Sequence, residues 1–127
     1  MSGKLLIIEY DEINRKLARD ILEHHGYEAI EAENCRKGIS MAREQSPDLI
    51  LMDIQVPYMD GVTAVGVLKN DPATRDIKII ALTSFAMKGD RERMLEAGFD
   101  DYMAKPIDTR ELPSFLDRCL LKKDNGG

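Results

Sequence analysis

Five times along this chain a short apolar run gives way to a longer stretch with helical spacing, and the first of these runs, Leu5–Ile8, is apolar without alternation. A strand buried on both faces reads this way, because neither side of it meets water. Strands of that kind, each followed by a helix, build a parallel sheet covered by helices. The first pair is Leu5–Ile8 and a helix carrying Ile13, Leu17, Ile21 and Leu22, stopped by Gly26, with His24 and His25 read as a solvated last turn. The second is Tyr27–Ala32, then Asn34 as a cap for a helix through Ile39 and Ala42 that ends at Ser46-Pro47. The third runs from Asp48 to Met52 and into Asp53; turn chemistry from Pro57 to Gly61 precedes a helix with Val62, Val65 and Leu68, broken at Asp71-Pro72. The fourth is Ile77–Leu82 followed by Thr83-Ser84, with Met94 and Leu95 on a helix closed by Gly98. The fifth is Asp101–Ala104, and the last helix carries Leu112, Phe115, Leu116, Cys119 and Leu120. Pro113 lacks an amide hydrogen, so that helix is expected to begin at Thr109 or later.

The expected architecture is a three-layer α/β/α sandwich around a five-stranded parallel sheet, one domain over residues 1–121 with a flexible tail at 122–127. A length of 127 residues suits one hydrophobic core. The formal net charge of −5 offers no basic footprint for nucleic acid, so none is expected as a partner. No long apolar run or cleavable leader is visible, and the expectation is a cytoplasmic protein without a membrane partner. Cys35 and Cys119 are far apart and form no Cys-x-x-Cys pair, which reads as two reduced structural thiols.

In an open parallel sheet, ligands meet the carboxyl ends of the strands. The polar residues there are Glu9, Tyr10 and Asp11 after the first strand, Asp53 at the end of the third, Thr83 and Ser84 after the fourth, and Lys105-Pro106 after the fifth. Taken singly, each has a plain reading: Asp53 a turn aspartate, Glu9 and Asp11 the acidic opening of a helix, Thr83 a strand-end hydrogen bonder, Lys105 a solvated amine. Acids, a hydroxyl and an amine on one rim are together the chemistry that holds a hard divalent cation and neutralises a transferred phosphoryl group.

The segments Ile7-Ile8-Glu9, Leu49-Ile50-Leu51-Met52-Asp53-Ile54-Gln55-Val56-Pro57-Tyr58-Met59-Asp60-Gly61, Ile79-Ile80-Ala81-Leu82-Thr83-Ser84 and Tyr102-Met103-Ala104-Lys105-Pro106 together resemble the response-regulator receiver family of two-component signalling, over about Lys4 to Leu121. Phe85–Asp90 resembles its stand-alone, DivK-like members, and the expectation is a receiver without an output domain. The resemblance implies a flavodoxin-like (βα)5 fold and a phosphorelay function. Asp53 would accept a phosphoryl group from a histidine kinase or phosphotransfer protein. A magnesium ion would be held by Glu9, Asp53 and the backbone carbonyl of Gln55, and Lys105 would pair with the phosphoryl oxygens. Thr83 and Tyr102 would form the switch, Ser84 would leave the phosphoryl group room, and Pro106 would set the direction of Lys105. The signal would pass to a downstream protein through the surface around the fourth and fifth strands. Any catalysis would be limited to self-phosphorylation and self-dephosphorylation.

One position departs from the family, whose first strand commonly ends in two adjacent acids, the second a direct magnesium ligand; here that second position is Tyr10. Asp11 is an additional candidate ligand only if the backbone turns sharply after Glu9. A pseudo-receiver, a binding module with weakened or absent magnesium binding and phosphorylation, is therefore the alternative. A nucleotide hydrolase would need a Gly-x-x-x-x-Gly-Lys loop, and an aspartate-based phosphatase a second acid at Gln55; neither is present.

Overall fold

The structure, a computed structural model, describes residues 3–54, 61–83, 90–104 and 110–125. Among the described residues strands and helices alternate: β1 (Lys4–Ile8), α1 (Glu12–His24), β2 (Glu28–Ala32), α2 (Cys35–Gln45), β3 (Leu49–Asp53), α3 (Gly61–Lys69), β4 (Lys78–Thr83), α4 (Asp90–Ala97), β5 (Asp101–Ala104) and α5 (Glu111–Asn125). The strands form one parallel sheet in the order β2-β1-β3-β4-β5. The expected sandwich and its five parallel strands are what the chain forms.

Period-two alternation sorts the strand residues into two cores. Leu6, Ile8, Ile50, Met52, Ile79 and Ala81 face a cluster completed by Cys35, Ile39 and Ala42 of α2 and by Ala64, Val65 and Leu68 of α3. Leu5, Ile7, Leu49, Leu51, Ile80 and Leu82 face the other, which Ala18 and Leu22 of α1 and Leu112, Leu116, Cys119 and Leu120 of α5 close. Both cysteines are buried and neither is in a disulfide. The Tyr27 hydroxyl donates to Asp117 Oδ1 and ties the start of β2 to α5; burial, then that carboxylate, pushes the phenol well above its ordinary pKa.

The helix ends follow the expected chemistry. Asn34 Oδ1 caps α2 by accepting from Lys37 N–H at 2.8 Å. Gly26 and Gly98 take positive φ, 89° and 118°, where a side chain would be strained. In α5, Pro113 is the third residue, a position whose amide has no intrahelical acceptor, so its missing hydrogen costs little. That helix runs to Asn125.

One packing detail differs from what periodicity suggested. The stripe of α1 that meets the sheet is centred on Ala18 and Leu22, while Ile13 and Leu17 are exposed at 79% and 40%. The spacing of four that links Ile13 to Leu17 also links Ala18 to Leu22, so two stripes were open and the small alanine marks the one that packs closely. In α2, Gly38 lies against β1 so closely that a Cβ would stand 2.3 Å from Ile8 Cδ1 and 2.7 Å from Cγ1.

Candidate functional site

The chain moves from β1 outward to β2, then returns to place β3 on the other side of β1, so the sheet's topological switch point lies between β1 and β3. The register pairs Ile8 with Met52, and the next residues on these strands, Glu9 and Asp53, therefore emerge side by side. Glu9 N–H donates to Ala32 O at 3.0 Å and Ile54 N–H to Leu82 O at 3.2 Å, carrying the ladder one step past each strand. Both carboxylates are buried, Glu9 at 2% and Asp53 at 5% exposure. Burying two acids next to each other is unfavourable unless cations or donors compensate, which makes the pair chemically notable.

Asp11 does not join them. It caps α1, its Oδ1 accepting from Ile13 N–H at 2.8 Å and Asn14 N–H at 3.2 Å. Its own amide reaches back to Glu9 Oε2 at 3.1 Å. Tyr10 is exposed at 60%. Position 10 thus carries an exposed phenol where the resemblance leads one to look for a second acid.

Thr83 ends β4 at 2% exposure, on the sheet face opposite Leu82. The β4–β5 register sets Ala81 beside Tyr102 and Thr83 beside Ala104, so Thr83 and Tyr102 are diagonal neighbours on one face. Tyr102 is half-buried against the core on that side. A cleft of about 590 Å³ opens beside Thr83 between α3 and α4, lined by Ile54, Val62, Met94 and Ala97 with Arg93 and Glu96. A second cavity of about 330 Å³ lies by the start of β4, next to Lys78 and Cys119, and includes none of the rim residues. Gln55, Ser84, Lys105 and Pro106 lie outside the described residues.

One contributor escaped the sequence reading. Arg15, in the first turn of α1, donates from Nη1 to the carbonyls of Glu9 at 2.9 Å and Tyr10 at 3.2 Å. Its Nε lies 3.3 Å from Glu31 Oε1, and Glu31 Oε2 accepts from Arg19 at 2.8 Å. The available signal was electrostatic, because a cation in a helix's first turn sits at the positive end of the dipole and needs compensation elsewhere.

The chain matches the response regulator receiver domain family over residues 5–117. It belongs to that family. The polar-differentiation response regulator DivK of Brucella anthropi is 44% identical over 117 residues, covering 92% of this chain and 93% of the relative. Among solved structures, the CheY-like response regulator receiver domain protein of Methanospirillum hungatei superposes with a TM-score of 0.90 at 26% identity, covering 100% of both chains. The receiver domain of a sensor histidine kinase from Pseudomonas aeruginosa, with a magnesium ion coordinated in its active-site cleft, gives 0.86 at 33% identity, covering 94% of this chain and 98% of that one. This receiver thus shares its two-component signalling family with stand-alone regulators and with kinase-borne domains. No helix among its described residues is long and apolar enough to cross a membrane.

Proposed function

We propose that this receiver takes a phosphoryl group on Asp53 from a histidine kinase or phosphotransfer protein in the cytoplasm and signals through protein contacts. The observation that carries the reading is the pair of buried carboxylates, Glu9 and Asp53, side by side at the sheet's switch point. Two anionic oxygen donors in a buried rim fit a hard divalent cation such as magnesium, which would offset charge on the incoming phosphoryl group. Glu9, Asp53 and the backbone carbonyl of Gln55 would hold it.

The residues' own work is positioning and charge balance. An Asp53 carboxylate oxygen attacks phosphorus; the new O–P bond forms as the N–P bond of the donor phosphohistidine breaks, and the imidazole departs with the electron pair. Lys105 would pair with the phosphoryl oxygens and Ser84 would keep access open. Pro106 would orient Lys105. Thr83, moving toward the new phosphoryl oxygens, would vacate space on the face it shares with Tyr102, and the ring would carry the change to a downstream protein at the β4–β5 side.

Intact mass after incubation with magnesium and a small acyl-phosphate donor tests the acceptor. Wild type is expected to gain one phosphoryl adduct and Asp53→Asn none, with the fold of the variant intact by circular dichroism. Equal labelling of the variant would overturn the assignment.

A further inference from the structure

The β1–α1 turn contains a chain of contacts that begins at β2 and ends on a site carboxylate. Glu31 lies on β2 beside Ile7, facing the α1 side of the sheet, and its two oxygens engage Arg15 at 3.3 Å and Arg19 at 2.8 Å. Arg15 is only 18% exposed, and its Nη1 reaches past the helix start to both Glu9 O and Tyr10 O. A trans peptide is planar, with its C=O and N–H pointing in opposite directions. Gripping the Tyr10 carbonyl therefore aims the amide on the far side of the same plane, that of Asp11, away from Arg15. That amide is the one that donates to Glu9 Oε2 at 3.1 Å.

We propose that Arg15 is a positioning residue for the cation site: it locks the Tyr10–Asp11 peptide plane so that the Asp11 amide holds the Glu9 carboxylate in its ligating orientation. The inference rests on the magnesium reading above for its functional consequence, but the structural relay stands apart from it. Arg15 touches neither phosphoryl group nor cation in this scheme. Its fork geometry matters, because one guanidinium serves two carbonyls while its Nε faces Glu31; a lysine ammonium offers the charge without the fork.

Positioning and charge predict opposite signs. A positive group near a cation site weakens cation binding, so removing it should tighten magnesium if charge alone acted. Loss of a partner that orients a metal ligand should instead weaken it, by roughly 10-fold or more. The test is calorimetric titration of magnesium into the unphosphorylated protein, with amide hydrogen exchange at Asp11 followed in metal-free buffer. Arg15→Gln is expected to bind magnesium about 10-fold more weakly and to exchange the Asp11 amide faster. Arg15→Lys should recover part of the affinity. Arg19→Gln, which removes a Glu31 partner and leaves both carbonyl contacts, should bind as wild type does. Unchanged or tighter binding in Arg15→Gln overturns the proposal, as does an equal loss in Arg19→Gln. Should Arg15→Gln fail to fold, Arg15→Lys decides alone, and affinity equal to wild type overturns it. A wild type that takes up no magnesium removes the cation reading, and the relay is then decided by Asp11 exchange, an unchanged rate in Arg15→Gln refuting it.

Discussion

Asp11 is one peptide away from the position where the family carries its second acid, yet its carboxylate is committed to the first turn of α1 through Ile13 and Asn14. A capping aspartate replaced by alanine costs about 1 kcal/mol. Asp11→Ala is therefore expected to lower stability by about that amount in urea titrations and to leave magnesium affinity unchanged; weaker magnesium binding in this variant would show that Asp11 stands in for the missing ligand. Tyr10→Asp restores an acid where the exposed ring now sits, and should tighten magnesium by roughly 10-fold or more and speed phosphorylation by a small donor. Equal affinity in wild type and Tyr10→Asp would show that position 10 is indifferent. Asp53, Glu9 and Thr83 were legible as candidates because a polar residue closing an apolar run is conspicuous. The service Arg15 performs was not, since its partners are two carbonyls and a glutamate on another strand, none of which leaves a mark on the local pattern.

Helices and strands were largely readable from periodicity, and their faces less so. In α1 the apolar spacing of Ile13, Leu17, Ile21 and Leu22 fits a helix, but only contact with the sheet decides which stripe is covered. The exposed remainder, Ile13 and Leu17 with Tyr10 just before them, lies in the N-terminal half of α1 and the turn that follows Glu9, the side from which a phosphoryl donor would approach under the proposed function. Covering one isoleucine is worth about 1.5 kcal/mol or more, roughly 10-fold in binding. Ile13→Asp is thus expected to slow phosphotransfer from a protein donor about 10-fold while leaving labelling by a small donor unchanged. Its effect on folding should be within about 0.5 kcal/mol, the usual range for surface changes. A parallel loss with both donors would place the effect in the site instead of at a protein contact.

At the scale of the whole molecule, the alternating pattern specifies parallel strands between helical layers, while the order in which the strands assemble is not written in any one segment. That order brings Glu9 to Asp53, separated by β2 and two helices in sequence. It also makes both layers of helices answerable to the same strand. Ile8 packs on the α2 side of the sheet, and the residue after it is Glu9. Because a Cβ at Gly38 would stand 2.3 Å from Ile8 Cδ1 and force that side chain to shift, Gly38→Ala would trade roughly 1 kcal/mol of improved helix propensity for about 1–3 kcal/mol of crowding, a net change between none and about 2 kcal/mol of destabilisation. The displaced Ile8 would tug its neighbour, so this substitution on the far layer should also loosen magnesium, and trimming Ile8 to valine in the same chain should restore part of both losses. A bare spot on one helix would then act as the tuning screw for a carboxylate that it never touches.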